Sequence, residues 1–144
     1  MLIGINPLLG PELLAHLRSM GHGDDLVIAD ANFPAAAVAQ RLVRAEGTTT
    51  PHMLAAVLSV LPLDTFNDAA VCVMEVVGRA GAFAPITEEF REILAARAGQ
   101  VFSNVVGLER FAFYARARQA YAIVATGERR FYGNIILRKG VIEP

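Results

Sequence analysis

Short apolar runs alternate along this chain with segments that carry helix signals, and this alternation limits the folds open to it. The largely apolar runs cover residues 26–29, 69–77, 121–126 and 135–138. Runs of this length without polar alternation predict strands that are buried on both faces. Such strands separated by helices are typical of a layered α/β domain, which we predict as one domain over residues 1–144.

Prolines, acidic residues and glycines mark the helix boundaries. Pro11 suits the first helical position, Glu12 suits the positive end of the helix dipole, and Gly21 suits the stop. By the same reasoning we predict helices over residues 11–20, 50–61, 88–98 and 110–117, with Thr87 as the N-cap of the third. Short strands are expected at residues 41–44 and 105–106, and residues 69–77 are expected to form a central strand.

The composition is unusually apolar, with 54% hydrophobic residues and a mean hydropathy of +0.42. No apolar run approaches the roughly 18 to 20 residues of a membrane span. We therefore expect both a sheet buried on its two faces and subunit interfaces. The net charge of −1 gives no electrostatic reason to expect a nucleic acid or an anionic membrane as partner.

The single cysteine, Cys72, lies inside an apolar run. A buried, inert thiol is the favoured interpretation, and a reactive thiol is the alternative. The first residues lack a basic region followed by a long apolar stretch, so no secretory signal is visible and a cytoplasmic location is expected.

The known sequence signatures of several enzyme classes are missing. The chain has no Walker-type glycine-rich loop, no dinucleotide fingerprint after its first strand, no HExxH, no paired cysteines and no Gly-x-Ser-x-Gly. These absences argue against nucleotide-driven, metal-dependent and acyl-transfer chemistry.

His22 is the first candidate for chemistry, because it lies between Gly21 and Gly23 where the first helix ends. The flanking glycines would allow the ring to face a cleft, and one imidazole is sufficient for proton transfer near neutral pH. The same pattern suits a plain helix stop followed by an exposed histidine. His16 and His52 are expected to be solvated.

Asp30 follows a buried strand, where open α/β sheets place their ligands. It is either a ligand-facing carboxylate or the cap of the next segment. Asp24 and Asp25 are interpreted as a solvated strand entry.

Two later segments carry candidate binding groups. Arg110 and Tyr114 are four residues apart and share a helical face, with Phe111 and Phe113 expected in the core. The pair suits a polyol, and an ordinary helix with an exposed arginine and a half-buried tyrosine is the alternative. The segment Tyr132-Gly133-Asn134 precedes the last strand and is either a turn or the wall of a pocket.

Taken in order along the chain, these segments resemble the family of L-fucose mutarotases and D-ribose pyranases. The matching segments are Pro7-Leu8-Leu9, Pro11-Glu12-Leu13-Leu14, Met20-Gly21-His22-Gly23-Asp24, Ala29-Asp30-Ala31-Asn32-Phe33-Pro34, Val43-Arg44-Ala45-Glu46-Gly47, Leu61-Pro62-Leu63-Asp64-Thr65, Arg110-Phe111-Ala112-Phe113-Tyr114, Thr126-Gly127-Glu128 and residues 132–141. The Arg-Phe-Ala-Phe-Tyr run is similar to the fucose branch, whereas Asn32 departs from the histidine of many bacterial fucose enzymes.

The resemblance implies a three-layer α/β fold with a mixed, mostly parallel sheet flanked by helices, acting as an isomerase without cofactor or metal. It implies that His22 is the general acid. It also implies that a monosaccharide, with L-fucose favoured, contacts Asp30, Arg110, Tyr132, Gly133 and Asn134, with Tyr114 as a further candidate. A homo-oligomer, expected to be a decamer, is implied as well.

The implied reaction is mutarotation, in which a cyclic hemiacetal opens to the free aldehyde and closes on its other face. On this interpretation His22 protonates the ring oxygen and takes the proton back on closure. Two alternatives stay open: a non-catalytic sugar-binding or sensing protein, and a pyranase acting on D-ribose. A structural interaction protein is a third interpretation, favoured if the polar groups do not converge.

Overall fold

Six short strands build one mixed sheet in the computed structural model, which describes all residues from 1 to 144. The strands are β1 (Asp25–Ala29), β2 (Leu42–Ala45), β3 (Val71–Met74), β4 (Val106–Leu108), β5 (Ala122–Thr126) and β6 (Ile135–Arg138). Their order across the sheet is β2-β5-β1-β6-β3-β4. β6 runs antiparallel to both its neighbours, and the remaining pairings are parallel.

Five α-helices cover the two faces of the sheet. They are α1 (Pro11–Ser19), α2 (Ala35–Val38), α3 (Thr50–Leu58), α4 (Ile86–Arg97) and α5 (Arg110–Gln119), and a 3₁₀ turn spans Gln100–Ser103. Side chains of α1, α3 and α4 share one apolar core with the sheet, and those of α2 and α5 share a second core. The layered α/β fold and the mixed, mostly parallel sheet are therefore confirmed. None of the helices is long and apolar enough to cross a membrane.

The continuous apolar runs do form doubly buried strands. Every residue of β1 and of β5 is buried, because both are interior strands of a sheet whose two faces are covered by helices. The segment at residues 69–77 is shorter than predicted and is not central, since β3 lies next to the edge strand β4. The central places belong to β1 and β6.

Three other sequence predictions are wrong in detail. Thr87 does not cap α4, because the helix begins at Ile86 and Thr87 is buried within its first turn. Phe111 is 71% exposed, whereas Phe113 is buried as expected. His52 is exposed as expected, but His16 is half-buried with its ring edge against Tyr121.

Asp25 is the largest departure from the sequence analysis, because it is buried rather than solvated. Its carboxylate accepts hydrogen bonds from Arg116 Nε at 2.8 Å and from Arg138 Nε at 2.9 Å. Arg116 also reaches the sulfur of Cys72 at 2.7 Å and the carbonyl of Ala69 at 3.1 Å. This cluster joins α5 to the start of β1 and to the end of β6.

The charges of this cluster shift the pKa values of its members. Burial alone would raise the pKa of Asp25, but the hydrogen bonds and charges of Arg116 and Arg138 outweigh it and hold that pKa below its usual value. Burial raises the pKa of the Cys72 thiol despite the nearby guanidinium. Cys72 is thus a buried thiol, as predicted.

Asp25→Asn is expected to lower the free energy of unfolding by about 3 kcal/mol, because two partly buried guanidinium groups lose their counter-charge. Urea denaturation measures this loss. The exposed Asp68 offers a matched control, and Asp68→Asn should change stability by less than about 0.5 kcal/mol. The folded pKa of Asp25 is lowered, so its stabilisation is complete above the ordinary value of 3.8 and is lost as the pH falls through the lowered pKa. Equal stability of Asp25→Asn and wild type would contradict the role of Asp25 as the counter-charge of the two guanidinium groups.

Candidate functional site

A cavity of about 390 Å³ opens where the carboxyl ends of β1 and β3 meet the start of α5. Its polar lining consists of Asp30, Asn32, Arg110, Tyr114, Tyr132 and Asn134. Its apolar lining consists of Phe33, Met74, Val77 and Phe131. Five residues that the sequence analysis selected for sugar contacts therefore converge on one cavity, and a sixth, Gly133, is bonded to Asp30 beside it.

Asp30 is the centre of a hydrogen-bond network at the bottom of this cavity. Its Oδ1 accepts from the backbone N–H of Asn32 at 2.9 Å, and its Oδ2 accepts from Gly133 N at 3.1 Å and Asn134 Nδ2 at 3.0 Å. Its own N–H donates to Asn134 Oδ1 at 2.8 Å. The carboxylate is thus both a local turn cap and a cavity group, so the two interpretations of Asp30 do not exclude each other.

Burial raises the pKa of Asp30 above its usual value, and the amide hydrogen bonds only partly offset this effect. No cation contacts the carboxylate, in contrast to Asp25. A buried carboxylate with a perturbed pKa in a cleft is a common mark of a functional site.

The loop before β6 presents Tyr132 in a strained conformation. Tyr132 has φ of +61°, the only positive φ among the non-glycine residues, and such backbone strain is concentrated at functional sites. Its hydroxyl oxygen accepts a hydrogen bond from Val77 N at 3.2 Å, which leaves the hydroxyl hydrogen free to donate into the cavity.

Gly133 lets the loop before β6 pack closely against Thr50, Glu128 and Asp30. Thr50 Oγ1 donates to the Gly133 carbonyl at 2.7 Å, and a Cβ on Gly133 would lie 2.7 Å from Glu128 Cγ and 3.2 Å from Asp30 Cβ. Glu128 is buried and accepts from Arg130 Nε at 3.0 Å and Arg130 Nη2 at 2.9 Å. The hydrogen bonds of Arg130 outweigh burial and lower the pKa of Glu128.

Arg110 and Tyr114 reach the cavity from the first turns of α5, as their four-residue spacing predicts. Glu109 caps this helix, with its carboxylate accepting from Phe111 N at 2.9 Å. The Tyr114 ring packs against Phe33 with 5.5 Å between centroids. Arg110 is exposed, so its guanidinium is available to a ligand.

His22 does not line this cavity. His22 precedes β1, whereas Asp30 follows it. The four residue steps from Asp25 to Ala29 alone separate the two ends of this strand by about 13 Å. The partners of His22 are Asp64 Oδ1 at 3.4 Å from Nε2 and the ring of Phe66 at 5.9 Å. Within one chain, therefore, His22 and the cavity lie at opposite ends of β1.

Asp64 was not selected from the sequence as a functional residue, although it lies in one of the resembling segments. Its side chain is 5% exposed beside a His22 side chain that is 47% exposed, and its Oδ1 also accepts from Phe66 N at 2.9 Å. Only the tertiary fold brings these two groups together, because 42 residues separate them. No group of three or more histidine, cysteine, aspartate or glutamate side chains is placed to hold a metal ion.

Sequence comparisons cover almost the whole chain. Residues 3–142 match the model of the RbsD / FucU transport protein family. The chain is 48% identical over 145 aligned positions to the fucose mutarotase of Homo sapiens, covering 96% of this chain and 93% of that protein. It is 47% identical over 150 positions to the fucose mutarotase of Bos taurus, covering 100% of this chain and 96% of the relative.

A structural comparison agrees with the sequences. The crystal structure of the fucose mutarotase from Streptococcus pneumoniae in complex with L-fucose matches with a TM-score of 0.91 and 41% identity. The match covers 99% of this chain and 100% of that one. The chain therefore belongs to the RbsD / FucU transport protein family.

Proposed function

We propose that this protein is an L-fucose mutarotase, an isomerase that interconverts the α and β anomers of L-fucose without a cofactor. The observation that carries the proposal is the cavity, in which a buried carboxylate, a guanidinium and two tyrosine hydroxyls face an apolar wall. Such a lining suits a sugar that has both hydroxyl groups and a methyl group. The similarity to fucose mutarotases over the full chain, at 47–48% identity, supports the same assignment.

Each polar group has a role that its surroundings favour. Asp30 accepts a hydrogen bond from a sugar hydroxyl at the lone pair of Oδ1 that its amide partners leave free. Arg110 binds further hydroxyls, and Tyr132 donates its hydroxyl hydrogen near the anomeric centre. Asn134 acts through Asp30, because its amide oxygen and one amide hydrogen are already engaged there.

His22 is the acid of the proposed reaction. It transfers a proton to the ring oxygen, the bond between C1 and the ring oxygen breaks, and the anomeric hydroxyl passes its proton through the Tyr132 hydroxyl to solvent, which gives the aldehyde. On closure the former ring oxygen returns its proton to His22 as it adds to the other face of C1, and the aldehyde oxygen takes up a proton from solvent by the same route. Asp64 Oδ1 lies 3.4 Å from Nε2 and orients the ring for this transfer.

The separation of His22 from the cavity requires a second copy of the chain. In our proposal, His22 of one copy faces the cavity of a neighbouring copy, so each active site is shared. Exposed aromatic rings support this arrangement at both places: Phe66 lies beside His22, and Phe131 lies at the cavity. Exposed apolar groups next to functional groups are typical of subunit interfaces.

The assembly and the location complete the proposal. We propose a homo-oligomer, a decamer, with L-fucose as the partner of each site and a cytoplasmic location. The exposed apolar side chains outside the cavity, such as Val101 and Ile142, give an oligomer further surface to bury.

The activity is tested by saturation-transfer NMR on L-fucose. The protein should accelerate exchange between the two anomers, and His22→Ala and His22→Gln should each lower the catalysed rate by about 10²- to 10⁴-fold. D-Ribose serves as the comparison sugar. Exchange of ribose alone would move the assignment to a pyranase, and line broadening without faster exchange would indicate a sugar-binding protein.

A subunit-mixing experiment tests the shared site. His22→Ala and Arg110→Ala are each expected to be inactive, but oligomers reassembled from equal amounts should regain about a quarter of the wild-type activity, because that share of sites receives both intact groups. As a control, His22→Ala is mixed with the doubly substituted His22→Ala/Arg110→Ala chain, which restores no site. No recovery in the first mixture would place both groups within one copy.

Asn134→Leu tests whether Asn134 acts by holding Asp30. The change leaves the N–H of Asp30 without its acceptor, so we expect about 2 kcal/mol lower stability and about tenfold higher KM for L-fucose. Asn32→Leu is the matched control for stability, since the Asn32 side chain is exposed and only its backbone contacts Asp30. Unchanged stability and KM in Asn134→Leu would remove this role.

A further inference from the structure

Lys139 directly follows β6 and lies between His22 and Asp64, the two side chains that act together in the proposed reaction. On one side Lys139 accepts from Gly23 N at 2.9 Å and donates its own N–H to the Asp24 carbonyl at 2.9 Å. On the other side it forms an antiparallel bridge with Leu63, the residue before Asp64. The backbone of Lys139 therefore joins the turn that carries His22 to the segment that carries Asp64.

The side chain of Lys139 adds a second attachment to the same turn. Its ammonium group donates to the carbonyls of Leu17 at 3.0 Å and of Met20 at 2.5 Å. These carbonyls belong to the last turn of α1 and to its C-cap, where the helix dipole is negative and backbone acceptors lack helical partners. Lys139 thus caps α1 two residues before His22.

His22 has few other restraints. Its neighbours Gly21 and Gly23 have no side chains, Gly23 has φ of +87°, and the ring itself is about half exposed. Within the turn, Gly21 N donates to Asp24 Oδ2 at 2.7 Å, which closes the turn but does not fix it to the rest of the molecule. The backbone bonds of Lys139 hold the turn after His22, so the position of the imidazole depends further on what holds the end of α1 before it.

We propose that Lys139 is a positioning residue for His22, acting through its ammonium cap on α1. The proposal rests on the proposed function, in which His22 transfers the proton. Without the cap, the last turn of α1 frays and the imidazole leaves its place beside Asp64. Lys139 does not line the cavity, and its ammonium group is engaged by two backbone carbonyls, so its loss affects proton transfer more than sugar binding.

The test compares Lys139→Met with Lys139→Arg, which keeps a cation and N–H donors. Lys139→Met should lower kcat for L-fucose by about 10- to 100-fold, because a small misplacement of a catalytic group is costly, and should leave KM nearly unchanged. Lys139→Arg should recover most of kcat. Arg18→Met, on the exposed side of the same helix, should match the wild type.

A structural measurement separates this proposal from the proposed function. The chain has three histidines, so labelling of histidine with ¹³C gives three ring resonances, and His22→Gln identifies that of His22. Lys139→Met should shift the His22 resonance and leave His52 unmoved. Wild-type kcat with an unmoved His22 resonance would overturn the proposal, as would parallel changes in kcat and KM that Lys139→Arg does not reverse. An active His22→Ala would overturn the catalytic role of His22, while the resonance would still report whether Lys139 positions the ring.

Discussion

Both the cavity around Asp30 and the turn that carries His22 depend on the antiparallel pairing of β6 with β1. In this register Ile135 lies opposite Ile28 and Arg138 lies opposite Asp25. The start of β6 therefore meets the end of β1, which brings Asn134 to Asp30. The end of β6 meets the start of β1, which brings the Lys139 backbone to the turn of His22. Had β6 been parallel like the other strands, neither set of contacts would form.

The two aspartates of β1 and its following loop show how one strand serves two purposes. Asp25 and Asp30 are both buried, but their pKa values shift in opposite directions. Arg116 and Arg138 neutralise Asp25, so its carboxylate is committed to the fold. Asp30 receives only amide donors, so burial dominates and its carboxylate keeps capacity for a ligand. The environment of each group, rather than its residue type, separates structural from functional carboxylates.

Local signals were sufficient for much of the fold. Pro11 and Gly21 bracket α1 to within about a residue, and the apolar runs identify the buried strands. The pairing of strands was not predictable, because it depends on contacts between residues that are about 110 apart in the chain, such as Asp25 and Arg138. The burial of Asp25 and the exposure of Phe111 follow from that pairing and from helix orientation, which no local pattern contains.

Only some residues of the candidate site could be predicted from the sequence, because local patterns do not contain long-range contacts. Arg110 and Tyr114 could be paired from helical spacing, and Asp30 from its place after a strand. The segment Tyr132-Gly133-Asn134 could be a turn or a pocket wall from its pattern, and the ordered resemblance to a family favoured the pocket wall. Asp64 has no local signal of this kind, because its proximity to His22 comes from the tertiary pairing of residues 62–64 with residues 138–140.

The distance between His22 and the cavity explains why the exposed apolar side chains near both places matter for the proposed function. A single chain places His22 and the cavity at opposite ends of β1, and this doubly buried strand lies between them. No rotation of side chains can close a gap of about 13 Å or more. Assembly is then part of the proposed mechanism, because the proposed contacts would bury the exposed Phe66 and Phe131 and bring His22 to the cavity of a neighbouring copy. One proposed interface thus accounts for both the hydrophobic surplus of the sequence and the distance of His22 from the cavity.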